Sequence, residues 1–125
     1  MRMQESAENY LEAILMLKIK QGYVRSIDVA NQLNFSKPSV SVAMKSLRES
    51  GYVTLGADGN LLLTEKGNAI AEKIYERHQV IAHLLIALGV DHDTAYEDSC
   101  KIEHDLSDIT FRKLKEHYEK HTELS

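Results

Sequence analysis

The sequence predicts a mainly α chain with a small β-hairpin: an N-terminal winged helix-turn-helix followed by a second, helical part. Three observations carry that reading. Apolar residues recur at helical spacing in six stretches. Between the third and fourth of these lie two strand-like runs, residues 52–55 and 61–63, separated by a turn. Charge is also divided unevenly. The chain carries −4 overall, +1 up to Lys66 and −5 from Gly67 onward, and all six histidines fall in the second part. We therefore place a domain boundary between residues 1–66 and 67–125, with a different task expected of each.

The elements follow in order. From a Ser6 cap to about Lys20, Tyr10, Ile14 and Leu17, with Leu11 and Leu15 beside them, form one apolar stripe. Glu8 suits the helix dipole in the first turn, and Gly22 ends the helix. A second helix runs from a Ser26 cap through Ile27, Ala30 and Leu33, and Asn34-Phe35-Ser36 turns the chain. The third helix starts at Ser36, tolerates Pro38 in its first turn and closes at Gly51. Its Val40, Ala43, Met44 and Leu47 form a packing stripe, while Lys37, Ser41, Lys45 and Arg48 occupy the opposite face. In the turn between the two strands, Asp58-Gly59 is the strongest hairpin signal. Thr64 caps a long fourth helix carrying Ile70, Ile74, Ile81, Leu84, Leu85 and Leu88, stopped by Gly89. A fifth helix is expected from about Thr94. A sixth follows a Ser107 cap, with Phe111, Leu114 and Tyr118 on one face.

A helix with an apolar back and a basic, hydroxyl-bearing front fits the major groove of duplex DNA, which is about 12 Å wide. The residues expected to touch DNA are Ser36, Lys37, Pro38, Ser39, Ser41, Val42, Lys45 and Arg48. The lysines and the arginine would neutralise phosphates or reach guanine edges, and the serines would donate hydrogen bonds. The competing reading is a merely solvated helix face. At the hairpin tip Asp58 and Asn60 stand where a strong grip on DNA would want Arg or Lys.

On the fifth helix Cys100, Glu103 and His104 fall at i, i+3 and i+4, which places a thiol, a carboxylate and an imidazole on one face. As a bland alternative, Cys100 packs in the core, Glu103 is solvated and His104 sits in an interface. His78 lies mid-way along the fourth helix, and Asn9 and Glu12 stand one turn apart on the first. His117 and His121 are spaced for a metal but read better as a solvated terminal helix, and His92 reads as part of a capped turn between Asp91 and Asp93.

The chain resembles the iron-dependent repressor family of the diphtheria toxin repressor type, in a short form close to its manganese transport regulator branch. The resemblance runs from about Glu5 to Leu114. It is carried by Asn-Tyr-Leu-Glu-Ala-Ile (9–14), Ser-Lys-Pro-Ser-Val-Ser (36–41), Leu-Thr-Glu-Lys-Gly (63–67), Glu-Arg-His (76–78) and, most specifically, Asp-Ser-Cys-Lys-Ile-Glu-His-Asp-Leu-Ser-Asp (98–108). It implies a homodimer that binds palindromic operator DNA as a repressor once loaded with a divalent transition metal, Fe(II) or Mn(II). The implied metal ligands are Glu12, His78, Cys100, Glu103 and His104, with the neutral amide of Asn9 a weaker donor where the manganese branch has an aspartate. The thiolate tilts the expected metal towards iron(II) over manganese(II). Two ligands of the iron branch's ancillary site are replaced by Ala82 and Tyr96, so that site is not expected, and His83 beside it reads as a surface or interface residue. The SH3-like domain of longer members is not expected either.

A single cysteine and the lack of a signal-peptide pattern point to the cytoplasm, and no apolar run suggests a membrane partner. Nothing implies an organic cofactor. No His-Glu-x-x-His or similar signature supports an enzyme. The main alternative is a winged-helix regulator that senses a small organic ligand or thiol oxidation. A small metalloenzyme and a plain protein-interaction module are the remaining readings, the latter distinguished by lack of salt-dependent duplex binding.

Overall fold

The computed structural model describes residues 5–123, with side chains described over 6–120. The expected six helices and one hairpin are all there: α1 Glu5–Gln21, α2 Ser26–Leu33, α3 Lys37–Glu49, β1 Val53–Leu55, β2 Leu61–Leu63, α4 Glu65–Ala87, α5 His92–Ile102 and α6 Asp108–Glu123. The chain forms two compact units that part inside α4, between Lys73 and Ile74.

In the first unit the α1 stripe is buried as its periodicity requires, with Leu11 and Ile14 fully enclosed among Val24, Val29, Val40, Met44, Leu47, Val53 and Leu61. One expected cap falls inside its helix and another moves by one residue. Helix α1 is already helical at Glu5, so Ser6 lies within it. The N-cap of α2 is Arg25 rather than Ser26, because the Asp28 carboxylate accepts the Arg25 backbone N–H at 2.9 Å and draws that residue into the cap. Ser36 caps α3 as expected, its Oγ accepting the Ser39 N–H at 3.3 Å, with Pro38 in the first turn where a missing N–H costs nothing.

Strands β1 and β2 are antiparallel, with Val53 opposite Leu63 and Leu55 opposite Leu61. Residue 52, expected in the first strand, precedes it: its carbonyl instead accepts the Thr64 N–H at 3.1 Å. Asp58 and Gly59 both adopt left-handed backbone, with φ of 56° and 81°, the conformation an Asp-Gly hairpin turn uses. The turn is fastened from outside. Asn60 Oδ1 accepts from the Val24 N–H at 3.1 Å and from Lys18 Nζ at 3.0 Å, and the Tyr23 hydroxyl donates to the Asp58 carbonyl. Thr64 caps α4 through Gly67 N–H at 3.1 Å. Gly67 is required here, since a Cβ at that position would stand 2.0 Å from the Tyr52 carbonyl oxygen.

The second unit joins the later turns of α4 to α5 and α6 around Val80, Ile81 and Phe111, with Leu84, Leu85, Leu106 and Tyr118 packed against them. Helix α5 starts at His92, earlier than the expected Thr94, because the Asp91 carboxylate caps it by accepting the Thr94 N–H at 3.0 Å. That hydrogen bond holds the Asp91 carboxyl below its ordinary pKa. Helix α5 ends at Ile102, and Ser107 caps α6 as expected through the Thr110 N–H at 3.2 Å. No helix among the described residues is long and apolar enough to cross a membrane.

Candidate functional site

Helix α5 stops at Ile102, but Glu103 keeps helical backbone and donates its N–H to the Ser99 carbonyl at 3.0 Å, so Cys100 and Glu103 remain one helical turn apart. Cys100 stands in the last turn of α5, Glu103 is its C-cap and His104 lies in the turn that follows. The three converge. A ligand atom from each lies within 4.8 Å of the others. Two donors each about 2.3 Å from a shared ion sit at most roughly 4.6 Å apart, so the group is close to coordination size without rearrangement of the backbone.

Glu103 is wholly buried, with His104 Nε2 3.6 Å from one carboxylate oxygen and His78 Nδ1 4.0 Å from the other. His78 reaches this point from α4. Its Nε2 lies 3.2 Å from the Tyr96 carbonyl, which can only accept. That contact calls for the proton on Nε2 and leaves the Nδ1 lone pair on the side of Glu103, the usual way an outer partner prepares a metal-binding histidine. The same carbonyl accepts the Ser99 hydroxyl at 3.1 Å, which fixes it in place. A thiol, a buried carboxylate and two imidazoles in one region of the second unit form a donor set suited to iron(II), zinc or cobalt(II).

Glu12 and Asn9 lie one turn apart on α1 of the first unit, Glu12 buried and Asn9 half-buried. Ala82 is buried. His83, expected at a surface or interface, is half-buried and hydrogen-bonded on both sides. Its Nδ1 is 3.1 Å from the Tyr118 hydroxyl and its Nε2 3.3 Å from the Tyr96 hydroxyl, which donates on to Gln79. Tyr96 thus links His83 to Gln79 in a hydrogen-bonded network. His92 is exposed at the start of α5 and His117 is exposed on α6, while the His121 side chain lies outside the described residues.

On α3 the two faces separate as expected. Val40, Met44 and Leu47 are buried, whereas Ser36, Lys37, Pro38, Ser39, Ser41, Val42, Lys45 and Arg48 are all exposed. Val42 is 71% exposed, an apolar group on a polar face that a thymine methyl would match. Beside this face runs a groove of about 510 Å³, lined by Arg25, Ser26, Ser41, Arg48, Leu55 and Asp58 among others. The sequence does not single out Arg25, and it marks Ser26 only as a helix cap. Only their place at the start of α2 marks them, and the hairpin that completes the groove is distant in sequence.

Two family models divide the chain. The iron dependent repressor N-terminal DNA binding domain matches residues 2–60, and the iron dependent repressor metal binding and dimerisation domain matches residues 64–123. Among relatives, an uncharacterised HTH-type transcriptional regulator of Methanocaldococcus jannaschii is 38% identical over 120 residues, covering 94% of this chain and 96% of that protein. The HTH-type transcriptional regulator MntR of Shouchella clausii is 36% identical over 102 residues, covering 82% of this chain and 71% of its own length. Among solved structures, the manganese regulator SloR is 28% identical with a TM-score of 0.76, covering 89% of this chain and 52% of that one. The metal-dependent transcriptional regulator MtsR is 25% identical with a TM-score of 0.82, covering 90% and 53%. This chain thus spans about half the length of those two solved proteins. With two adjoining family models covering nearly its whole length and a relative alike from end to end, the chain belongs to the iron-dependent repressor family of transcriptional regulators.

Proposed function

We propose that the protein is a cytoplasmic, metal-activated repressor that binds palindromic operator DNA as a homodimer, with iron(II) favoured over manganese(II). The observation that carries this is the convergence of Cys100, Glu103 and His104, with His78 Nδ1 turned to the same carboxylate. This falls in the part matched by the family's metal-binding and dimerisation domain. Glu12 is proposed as a further ligand and Asn9 as a weaker one, on the family resemblance. Residues 1–66 would read DNA and residues 67–125 would bind metal and dimerise, with no membrane partner or organic cofactor.

When bound, the ion would supply a multidentate link between these side chains. The remaining work falls to the chain. Holding the ion would require Cys100 as a thiolate and a free ring nitrogen on His78 and His104, so metal affinity would fall in acid. The exposed α3 face meets the major groove, with Lys37, Lys45 and Arg48 at phosphates or guanine edges. In a two-fold dimer two such helices must match half-sites about 34 Å apart, or a multiple of that. Side chains that hold the ion would favour the arrangement that meets this spacing, and by linkage operator binding would tighten their hold on it.

The Cys100 thiolate supports iron(II), since a soft donor disfavours manganese. The second reading is manganese(II), favoured by the 28% identity to a solved manganese regulator. An anaerobic gel-shift titration with iron(II), manganese(II) and zinc tests the proposal on wild type and Cys100→Ala. Wild type is expected to bind duplex only with metal, iron(II) acting at the lowest concentration, and Cys100→Ala to lose that advantage. Equal binding by both proteins with and without metal would overturn it.

A further inference from the structure

The segment between α5 and α6 carries Glu103 and His104, yet it belongs to neither helix. Much of its fastening comes from one α4 side chain, Arg77, which is only 5% exposed. Its Nη1 donates to the Glu103 carbonyl at 3.3 Å and to the Leu106 carbonyl at 3.0 Å, and its Nη2 pairs with the Asp108 carboxylate at the start of α6. The guanidinium carbon also lies 5.0 Å from the centre of the Phe111 ring. A buried guanidinium is tolerated only with such a set of partners, and its planar fork fixes their relative positions in a way an ammonium cannot.

Arg77 immediately precedes His78. One turn of α4 therefore presents a candidate metal ligand and, next to it, the clamp on the segment that carries two more. We infer that Arg77 is a positioning residue for the metal centre: it fixes the 103–106 backbone so that the Glu103 carboxylate and His104 imidazole are in place beside Cys100 before metal arrives. The inference rests on the metal-binding reading above. Without the clamp the segment must be ordered at the moment of binding, and the ordering cost appears as lost affinity. Partners in the outer shell of a metal site typically contribute about 10- to 100-fold in affinity.

The test is a cobalt(II) titration of the full chain, read by the thiolate-to-cobalt charge-transfer band and the d–d bands, alongside hydrogen exchange of the 103–106 amides in the metal-free protein. Arg77→Lys is expected to weaken cobalt(II) binding by about 10- to 100-fold and to speed exchange over 103–106. Its spectrum at saturation should match wild type, since the ligands are unchanged. Asp108→Asn removes only the carboxylate partner, whose side chain is 76% exposed, and should shift affinity the same way by less. It decides the matter if Arg77→Lys fails to fold. Unchanged affinity in a folded Arg77→Lys, or in Asp108→Asn standing alone, would make Arg77 a mere structural tie, even where the melting temperature falls. A wild type with no thiolate-to-cobalt band would instead defeat the metal-binding reading itself.

Discussion

Replacing Gly67 with alanine should destabilise the first unit, although alanine is much the better helix former. The new Cβ would meet the Tyr52 carbonyl oxygen at 2.0 Å, at least 1 Å inside the 3.0 Å that real Cβ contacts keep. That oxygen has little room to retreat, because it accepts the Thr64 N–H at 3.1 Å, and the Thr64 hydroxyl is itself tied to the Gly51 carbonyl at 2.7 Å. Overpacking of this kind costs about 1–3 kcal/mol. Losing the Thr64 hydrogen bond adds about 1 kcal/mol. Alanine's helical advantage returns about 1 kcal/mol. The net is about 2 kcal/mol, which for a unit of this size lowers the melting temperature by roughly 8–16 °C. Thermal unfolding followed by circular dichroism checks this, with duplex binding measured well below the transition. A variant as stable as wild type would show that the hairpin is not held against the start of α4 in the way described.

Two further outcomes follow from the exposed face of α3 and from the cap of α5. Alanine at Lys45 or Arg48 should weaken duplex binding and, if each meets a phosphate, reduce the slope of log affinity against log salt by about 1, which fluorescence anisotropy at several salt concentrations measures. An unchanged slope in both would return this face to plain solvation. The Asp91 carboxyl has its pKa lowered in the folded chain by the Thr94 N–H, so its contribution to stability is present above the ordinary value of 3.8 and lost as pH falls through the lower folded value. Melting temperature against pH should therefore fall less steeply below about pH 4 in Asp91→Asn, which keeps a capping oxygen without the charge. An identical acid slope would contradict the assignment.

The fold was legible where local chemistry decides it. Apolar spacing placed all six helices, Asp58-Gly59 placed the hairpin turn, and Ser36, Thr64 and Ser107 marked three helix starts. The residues that misled were those whose cap is chosen by a neighbour. Ser26 is a good cap by type, yet Asp28 reaches back to the Arg25 N–H and makes Arg25 the cap instead. The end of α5 was hidden for a stronger reason. Residues 98–108 contain no glycine or proline to stop a helix, and the carbonyls of Glu103 and Leu106 are taken by Arg77, more than twenty residues away in sequence. Spacing set Cys100, Glu103 and His104 together, and the last helical turn of α5 with the turn that follows gathers them. Arg25, in the groove beside α3, was missed because only the folded hairpin brings the residues around it together.

The proposed function rests on Cys100, Glu103 and His104 sharing an ion, with His78 at the other oxygen of the same carboxylate. X-ray absorption at the zinc edge on the zinc-loaded protein tests it most directly. One sulfur scatterer is expected at about 2.3 Å with nitrogen and oxygen scatterers at about 2.0–2.2 Å, the sulfur vanishing in Cys100→Ala. A wild-type spectrum of nitrogen and oxygen alone, unaltered by that substitution, would contradict it.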